Sequence, residues 1–243
     1  VLAYKMSWVS QRNGKCFLDP NQQPNAFEQC PDKTNGSYTL IWGDSHAAQL
    51  IPGFKALNGH EKIVQRTSSL CIPAIGVQVK SRPHCKVTND YILNEIKQNP
   101  PQKVILAASW TSPSYNGIDI NPQLVKTVNI LKKIGIKEIY IIGTVPVWKN
   151  SLPKLIETFG AVSIPKLEVK NVVASSFITD ENMRTFFNDT SAKYISLIDI
   201  MCKNEECQTI PEGFANAPMQ WDNAHLTEPG SNFVVSNIIR QLH

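Results

Sequence analysis

The sequence predicts an α/β fold in which a doubly wound parallel sheet of about five strands carries helices on both faces. Short apolar runs alternate along the chain with longer amphipathic segments, as in strands joined by helical crossovers. Most of the apolar runs are nearly continuous, which is typical of strands covered on both faces. The chain has 243 residues, of which 42% are hydrophobic and 18% charged, so it can bury a sizeable core.

Five apolar runs are interpreted as strands, and helix-like segments separate them. The predicted strands cover 38–42, 62–67, 103–108, 138–145 and 194–200. The predicted helices cover 45–58, 88–98, 122–134, 180–191 and 229–242. The segment 122–134 opens with a proline and repeats its apolar residues at helical spacing, which favours one buried face.

Residues 1–36 differ from the rest of the chain, because they are polar, rich in Asn, Gln and Pro, and show little periodicity. We interpret them as a disulfide-stapled extension that packs on a domain formed by residues 37–243. The opening residues do not resemble a signal peptide, since polar and charged residues interrupt them early. The chain is therefore expected to be a mature product or an excised soluble domain.

Six cysteines fall into three local couples, and each couple closes a short loop. Free thiols or a zinc site are the alternatives, but no C-x-x-C occurs and only His84 adjoins a couple. We therefore expect no metal, and we favour disulfides formed in an oxidising compartment. The expected pairs are Cys16 with Cys30, Cys71 with Cys85, and Cys202 with Cys207.

Charge argues against nucleic-acid binding, and hydropathy argues against a membrane-spanning segment in this sequence. The formal net charge is +4, the lysines are scattered, and no basic stripe is interleaved with aromatic residues, so nucleic acid is not an expected partner. No apolar run approaches the roughly 18 residues that a membrane-spanning helix needs.

The first predicted strand ends at Gly43-Asp44-Ser45-His46. A turn between a strand and a helix can lift a nucleophile above the edge of a sheet and aim backbone N–H groups at its target. Asp44 or Ser45 can equally serve as a helix cap, so the turn alone leaves both interpretations open. We expect Asp44 to hold the turn and His46 to face solvent.

A second polar group, Asp222 and His225, precedes the last predicted helix. A carboxylate and an imidazole three residues apart can meet in one loop, although an isolated D-x-x-H usually consists of ordinary loop residues. Its combination with the G-D-S turn at the start of an α/β chain favours a nucleophile, a base and an orienting carboxylate.

The segments IWGDSHAAQL and WDNAHLTEPGSNFV resemble the SGNH (GDSL) hydrolase superfamily over roughly residues 37–243. Together with the paired cysteines, they are similar to the periplasmic domain of bacterial acyltransferase-3 proteins, which O-acetylate surface polysaccharides such as O-antigen. The resemblance implies that Ser45 is the nucleophile, His225 the general base and Asp222 its orienting carboxylate. Residues 1–36 then correspond to the structured extension that often precedes the SGNH domain.

The sequence departs from this superfamily at the oxyanion hole. The superfamily uses the nucleophile's N–H, a glycine after the second strand and an asparagine in a G-x-N-D block after the third. Here the third strand is followed by SWTSPSY, which lacks that block, and no glycine closely follows the second strand. Candidate replacements are the backbone N–H groups of Ser69, Leu70 and Cys71, while Trp110 is a candidate pocket wall. Cys71 is expected in a disulfide and not as a nucleophile.

The resemblance implies a periplasmic O-acetyltransferase domain that acts on a polysaccharide hydroxyl. The domain itself shows no G-x-G-x-x-G turn and no basic phosphate cradle, so no bound cofactor is expected. Acetyl-coenzyme A would supply the acetyl group through an acyltransferase-3 domain in the inner membrane. A secreted carbohydrate acetylesterase with the same three residues, or a non-catalytic glycan-binding module, are the alternatives.

Overall fold

The fold is built on a parallel sheet, and the computed structural model describes residues 12–57, 61–159, 165–214 and 217–242. The strands are β1 Phe17–Leu18, β2 Thr39–Gly43, β3 Ile63–Ser68, β4 Lys103–Ala107, β5 Glu138–Ile142, β6 Lys166–Glu168, β7 Lys193–Ile195, β8 Cys202–Lys203 and β9 Glu206–Gln208. The main sheet has the order β1-β3-β2-β4-β5-β7, and all of its neighbouring strands are parallel. A small antiparallel sheet has the order β6-β9-β8.

Helices cover both faces of the main sheet, as the sequence predicts. They are α1 Ser45–Ala48, α2 Ile51–Leu57, α3 Cys85–Gln98, α4 Ile120–Ile134, α5 Leu152–Thr158, α6 Ala174–Phe187, α7 Leu197–Met201 and α8 Glu228–Ile239. Leu40 and Trp42 of β2 enter one hydrophobic core with residues of α3, α4 and α6. Ile41 enters the opposite core with residues of α2, α5 and α8. This division into two cores confirms the predicted doubly wound fold.

The sheet has six strands and not about five, because the N-terminal region supplies β1. Phe17 and Leu18 pair in parallel with Thr67 and Ser68 at the end of β3. The described part of the predicted extension therefore contributes an edge strand to the main sheet.

Three other predicted elements are corrected. The run 194–200 is not one strand, since β7 ends at Ile195 and the Ser196 hydroxyl accepts a hydrogen bond from the Asp199 N–H, which caps α7. The predicted helix 45–58 is divided into α1 and α2. The predicted helix 180–191 begins and ends earlier, at Ala174 and Phe187.

Three disulfides are present, and their pairs are those favoured from the sequence. Cys16–Cys30 joins the residue before β1 to the end of the short helical turn Pro24–Gln29, and Cys71–Cys85 joins the loop after β3 to the start of α3. Cys202–Cys207 closes the hairpin of β8 and β9. The side chain of Arg82 is fully buried and donates hydrogen bonds to the carbonyls of Pro20 and Gln22. These bonds also link the N-terminal region to the loop between β3 and α3.

Among the described residues, no helix has both the length and the apolar character needed to cross a bilayer.

Gly43 ends β2 and pairs with Ala107, the last residue of β4. A Cβ atom on Gly43 would lie 1.7 Å from the Ala107 carbonyl oxygen, and its φ of +153° is a conformation that side chains rarely adopt. Only glycine can therefore stand here without moving the backbone of β4. The chain leaves the sheet edge at this point and enters the turn that contains Ser45.

Candidate active site

Ser45 is the first residue of α1 and is partly exposed at the carboxyl edge of the sheet. Asp44, and not Ser45, caps the helix, because its Oδ1 accepts a hydrogen bond of 2.7 Å from the His46 N–H. Of the two residues that could have capped the helix, Asp44 therefore does so. The Ser45 hydroxyl remains available for chemistry.

The loop before α8 brings Asp222 and His225 to Ser45. The His225 Nε2 lies 2.9 Å from the Ser45 Oγ, and the His225 Nδ1 lies 2.8 Å from the Asp222 Oδ2. The other carboxylate oxygen, Oδ1, accepts the N–H groups of Ala224 and His225 at 2.7 and 2.6 Å. One carboxylate therefore folds its own loop and also orients the imidazole.

This arrangement suits a serine nucleophile that is activated by a neutral imidazole. Burial raises the pKa of Asp222, but the hydrogen bonds and charge of His225, with the two backbone donors, outweigh burial and bring that pKa below its ordinary value. The ionised carboxylate selects the tautomer in which Nδ1 carries the proton. The free electron pair of Nε2 then faces the Ser45 hydroxyl.

Aromatic rings hold the imidazole of His225 in place. The Trp221 ring stacks on it with a centroid distance of 5.4 Å and an angle of 18° between the planes. The His46 ring lies 4.9 Å away in a tilted arrangement. Trp221 was not a predicted site residue, although its position directly before Asp222 could have drawn attention to it.

Two buried glutamines, which the sequence did not predict, fix the loop of His225. The Gln49 Oε1 accepts the Leu226 N–H at 2.8 Å, which ties α1 to the residue after His225. Gln220 accepts the Trp148 indole N–H and donates 2.9 Å hydrogen bonds to two backbone carbonyls, one of them of Ala224. Gln49 lies inside the IWGDSHAAQL segment and Gln220 directly precedes the WDNAHLTEPGSNFV segment, but neither position indicates which backbone groups the glutamine binds.

Asp44 joins the Ser45 turn to the loop after β4. Its Oδ2 accepts the Ser109 N–H at 2.9 Å and the Tyr115 hydroxyl at 2.6 Å. Burial raises the pKa of Asp44, while the hydrogen bonds from Tyr115, Ser109 and His46 oppose that rise. The expected structural role of Asp44 thus extends beyond its own turn.

His46 does not face solvent, contrary to the expectation from the sequence. Its side chain is 5% exposed, because the first turn of α1 packs against the loop of His225. Burial, and then the nearby His225, lower the pKa of His46 to about 3. The folded protein therefore keeps His46 neutral over most of the acidic range.

The protonation of His46 should make folding weaker at acidic pH. Below its ordinary pKa of 6.5 the unfolded chain binds a proton at His46, whereas the folded chain binds it only near pH 3. Between these values the unfolded state holds more protons, so the free energy of unfolding falls as pH falls, by about 2 kcal/mol from pH 7 to pH 5. Urea titrations of the protein and of His46→Gln should show a shallower pH dependence in the variant. Equal slopes would contradict this assignment.

The three predicted oxyanion donors differ in whether their backbone N–H groups are already hydrogen-bonded. The Ser69 N–H donates to the Leu18 carbonyl and the Cys71 N–H to the Ser68 carbonyl, so neither is available. The Leu70 N–H has no acceptor among the described residues, and Leu70 has a φ of +55°. The non-glycine residues that adopt such a backbone often lie at functional sites.

Trp110 lies in the core beneath this edge of the sheet and does not form an open pocket wall. It is 4% exposed, and its indole N–H donates to the Ile142 carbonyl at 2.8 Å. Its large ring packs with the apolar residues of the first core, which explains its burial.

Three potential metal ligands meet at one place in the described parts of the chain, namely Cys16, Cys30 and Asp32. The two sulfurs form a disulfide, and Asp32 pairs with Arg12. This chemistry does not suit a metal centre, since a disulfide offers no thiolate ligand.

A family model described as the SGNH domain (fused to AT3 domains) matches residues 15–240. Among solved structures, the periplasmic domain of a lipopolysaccharide acetyltransferase from Salmonella ser. Paratyphi A is similar, with a TM-score of 0.80 and 23% identity. The alignment covers 97% of this chain and 94% of that one.

Two esterases share the fold at lower similarity. Est24, a carbohydrate acetylesterase from Sinorhizobium meliloti, has a TM-score of 0.54 and 9% identity. An aryl esterase from M. smegmatis has a TM-score of 0.51 and 8% identity. Each alignment covers 85% of this chain and 100% of the other. Among curated proteins, no sequence matches this chain.

Proposed function

Because this chain belongs to the family of SGNH domains that are fused to AT3 domains, we propose that it transfers an acetyl group to a polysaccharide hydroxyl. The acetyl group passes through an ester on Ser45, and the acceptor is a bacterial surface polysaccharide such as O-antigen. One observation carries the proposal: the Ser45 hydroxyl donates to the His225 Nε2, and the His225 Nδ1–H donates to Asp222, in an unbroken chain of hydrogen bonds at the carboxyl edge of the sheet. Ligands of open α/β sheets bind at this edge.

The first half of the reaction acylates Ser45. The Ser45 Oγ attacks the carbonyl carbon of an acetyl ester or thioester, and its proton passes to the His225 Nε2. The tetrahedral intermediate collapses when the bond to the leaving group breaks, and His225 returns the proton to that group. Asp222 stabilises the imidazolium that exists between the two proton transfers.

The second half moves the acetyl group to the acceptor. His225 removes the proton of a sugar hydroxyl, the resulting oxygen attacks the acetyl carbonyl, and the bond to the Ser45 Oγ breaks. The proton on Nε2 then returns to Ser45, which regenerates the starting state. This half-reaction repeats the chemistry of the first with the roles of the two oxygens exchanged.

The acetyl donor is proposed to reach this domain from a membrane partner. The family description supports an AT3 domain in the same polypeptide as that partner. The proposal places this partner domain in the bacterial inner membrane. The domain is then periplasmic, as the similar Salmonella domain is described, and acetyl-coenzyme A is the ultimate donor. The three disulfides are compatible with such an oxidising compartment.

Hydrolysis is the second candidate function, and the exposure of the site favours it. The side chains of His225 and Asp222 are 24% and 27% exposed, so water can approach the base. With water in place of the sugar hydroxyl, the same three residues form an acetylesterase. Transfer prevails only when the acceptor is bound and water is displaced from Ser45.

The fate of the acetyl-Ser45 ester separates the two functions. The isolated domain is treated with an activated acetyl ester, quenched and digested, and peptide mass mapping locates the acetyl group. We expect acetyl on the peptide that contains Ser45, and we expect added surface polysaccharide to shorten its lifetime while ester-linked acetyl appears on the glycan. Unchanged decay with release of free acetate only would favour the esterase.

A further inference from the structure

We infer that the hydroxyl of Ser109 is an oxyanion donor, which binds the acetyl oxygen as it becomes negatively charged. The inference deepens the proposed function and rests on it. Acyl transfer creates an oxyanion beside the nucleophile, and donors fixed in advance at that point supply a large part of the catalysis. Four features of the structure lead to Ser109.

The first feature is the register of the central strands. Gly43 of β2 pairs with Ala107 of β4, and the Asp44 N–H donates to the Ala107 carbonyl. Ser45 stands two residues beyond the last pair on one strand, and Ser109 stands two residues beyond it on the other. The two serines therefore leave the sheet at the same edge, on adjacent parallel strands.

The second feature is the buried carboxylate that links the two serines. One oxygen of Asp44 accepts the N–H of His46, directly after Ser45, and the other accepts the N–H of Ser109 itself at 2.9 Å. The Tyr115 hydroxyl binds the same oxygen at 2.6 Å and holds the loop a second time. The backbone of Ser109 is therefore fixed relative to the nucleophile, as a preorganised donor requires.

The third feature is the set of polar groups that remain free on this loop. The N–H of Ser109 is bound to Asp44, its carbonyl accepts the Ser112 N–H, and the Trp110 N–H donates to the Ala108 carbonyl. In the described structure the Ser109 hydroxyl has no hydrogen-bond partner, and the residue is only partly exposed. Among the donors of residues 109 and 110 in the described structure, the Ser109 hydroxyl is therefore the one that could bind the acetyl oxygen.

The fourth feature is a matching donor on the other side of the nucleophile. β2 lies between β3 and β4, so the loops after these strands flank Ser45. On the β3 side, the unbonded N–H of Leu70 is a donor, and the Ser45 N–H stands at the first position of α1, where a helix has no acceptor for it. With Ser109 on the β4 side, unbonded donors follow the strands on both sides of β2, the strand that leads to Ser45.

The test measures steady-state hydrolysis of p-nitrophenyl acetate by the isolated domain and by Ser109→Ala, Ser109→Thr and Ser114→Ala. Ser114 lies in the same loop, and its hydroxyl has no hydrogen bond among the described residues, so it is the matched control. We expect Ser109→Ala to lower kcat by about 100-fold with little change in KM, because an oxyanion donor acts in the transition state. Ser109→Thr should retain most of the activity, and Ser114→Ala all of it.

A second measurement tests oxyanion stabilisation in a reaction with a different leaving group. Phosphonylation of Ser45 by a fluorophosphonate also builds negative charge on an oxygen, so Ser109→Ala should slow it while the pH profile of the reaction stays unchanged. Wild-type kcat in Ser109→Ala, or an equal loss in Ser114→Ala, would overturn the inference alone. Absence of any Ser45-dependent reaction in the unmodified domain would overturn it together with the proposed function.

Discussion

Replacing Ser45 with alanine is expected to lower kcat for an activated acetyl ester by about 10⁶-fold, the size of loss that follows removal of a serine nucleophile. Without the Oγ atom, no acetyl ester can form on the enzyme. The fold should remain, because Ser45 is partly exposed and its hydroxyl makes one hydrogen bond among the described residues, to His225. The free energy of unfolding should therefore change by less than about 0.5 kcal/mol.

The comparison uses purified Ser45→Ala and Ser37→Ala, an exposed serine just before β2. Ester hydrolysis, acetyl incorporation and urea unfolding are measured for both variants. Ser37→Ala should resemble the unmodified protein in all three. Retained acetyl transfer by Ser45→Ala would place the nucleophile elsewhere, and loss of the fold would assign Ser45 a structural role instead.

Most of the sheet could be predicted, because local composition determines where a buried strand forms. The apolar runs of β2, β4 and β5 lie between polar ends, and both faces of each strand are covered. The strand β1 could not be predicted, since two residues show no period and its pairing with β3 depends on a contact distant in sequence. The apolar character of 194–200 predicts one strand, but the Ser196 cap starts α7 inside this run.

The candidate site also contains some residues that could be predicted from the sequence and others that could not. Ser45, Asp222 and His225 lie in two short motifs whose spacing indicates their chemistry, so the sequence could single them out. Gln49 lies in one of these motifs, but its role could not be inferred, since it depends on the Leu226 N–H, far along the chain. The burial of His46 follows from the same packing of α1 against that loop. Such contacts between distant segments leave no periodic signal in the sequence.

The contacts around Asp44 and Asp222 show that the site depends on carboxylates that do more than one task. Asp44 caps α1 and holds the loop after β4. Asp222 accepts two backbone N–H groups with one oxygen and orients His225 with the other. Substitutions that keep the shape of these groups but remove their charge can therefore separate the structural task from the chemical one.

The Asp222→Asn variant separates the structural role of Asp222 from its chemical role toward the base, His225. The new side chain is isosteric, so its carbonyl oxygen can still accept the N–H groups of Ala224 and His225, and the loop should keep its conformation. Its NH₂ group, however, is a hydrogen-bond donor and takes the place of the carboxylate oxygen that accepts from the His225 Nδ1 in the unmodified protein. The imidazole must then place its proton on Nε2, facing Ser45, where it can no longer act as a base. We expect kcat to fall by about 10⁴-fold, as expected for the wrong tautomer.

The measurement compares kcat and urea unfolding for Asp222→Asn, Asp222→Ala and Asn223→Ala. Asn223 is exposed in the same loop and is the matched control, which should keep full activity. Asp222→Ala removes the acceptor for two backbone N–H groups as well, so it should also lose stability, by about 1–3 kcal/mol. Asp222→Asn should lose activity without a comparable loss of stability. A fall in kcat of less than about tenfold would mean that the carboxylate only shapes the loop, because the tautomer of His225 would then not depend on its charge.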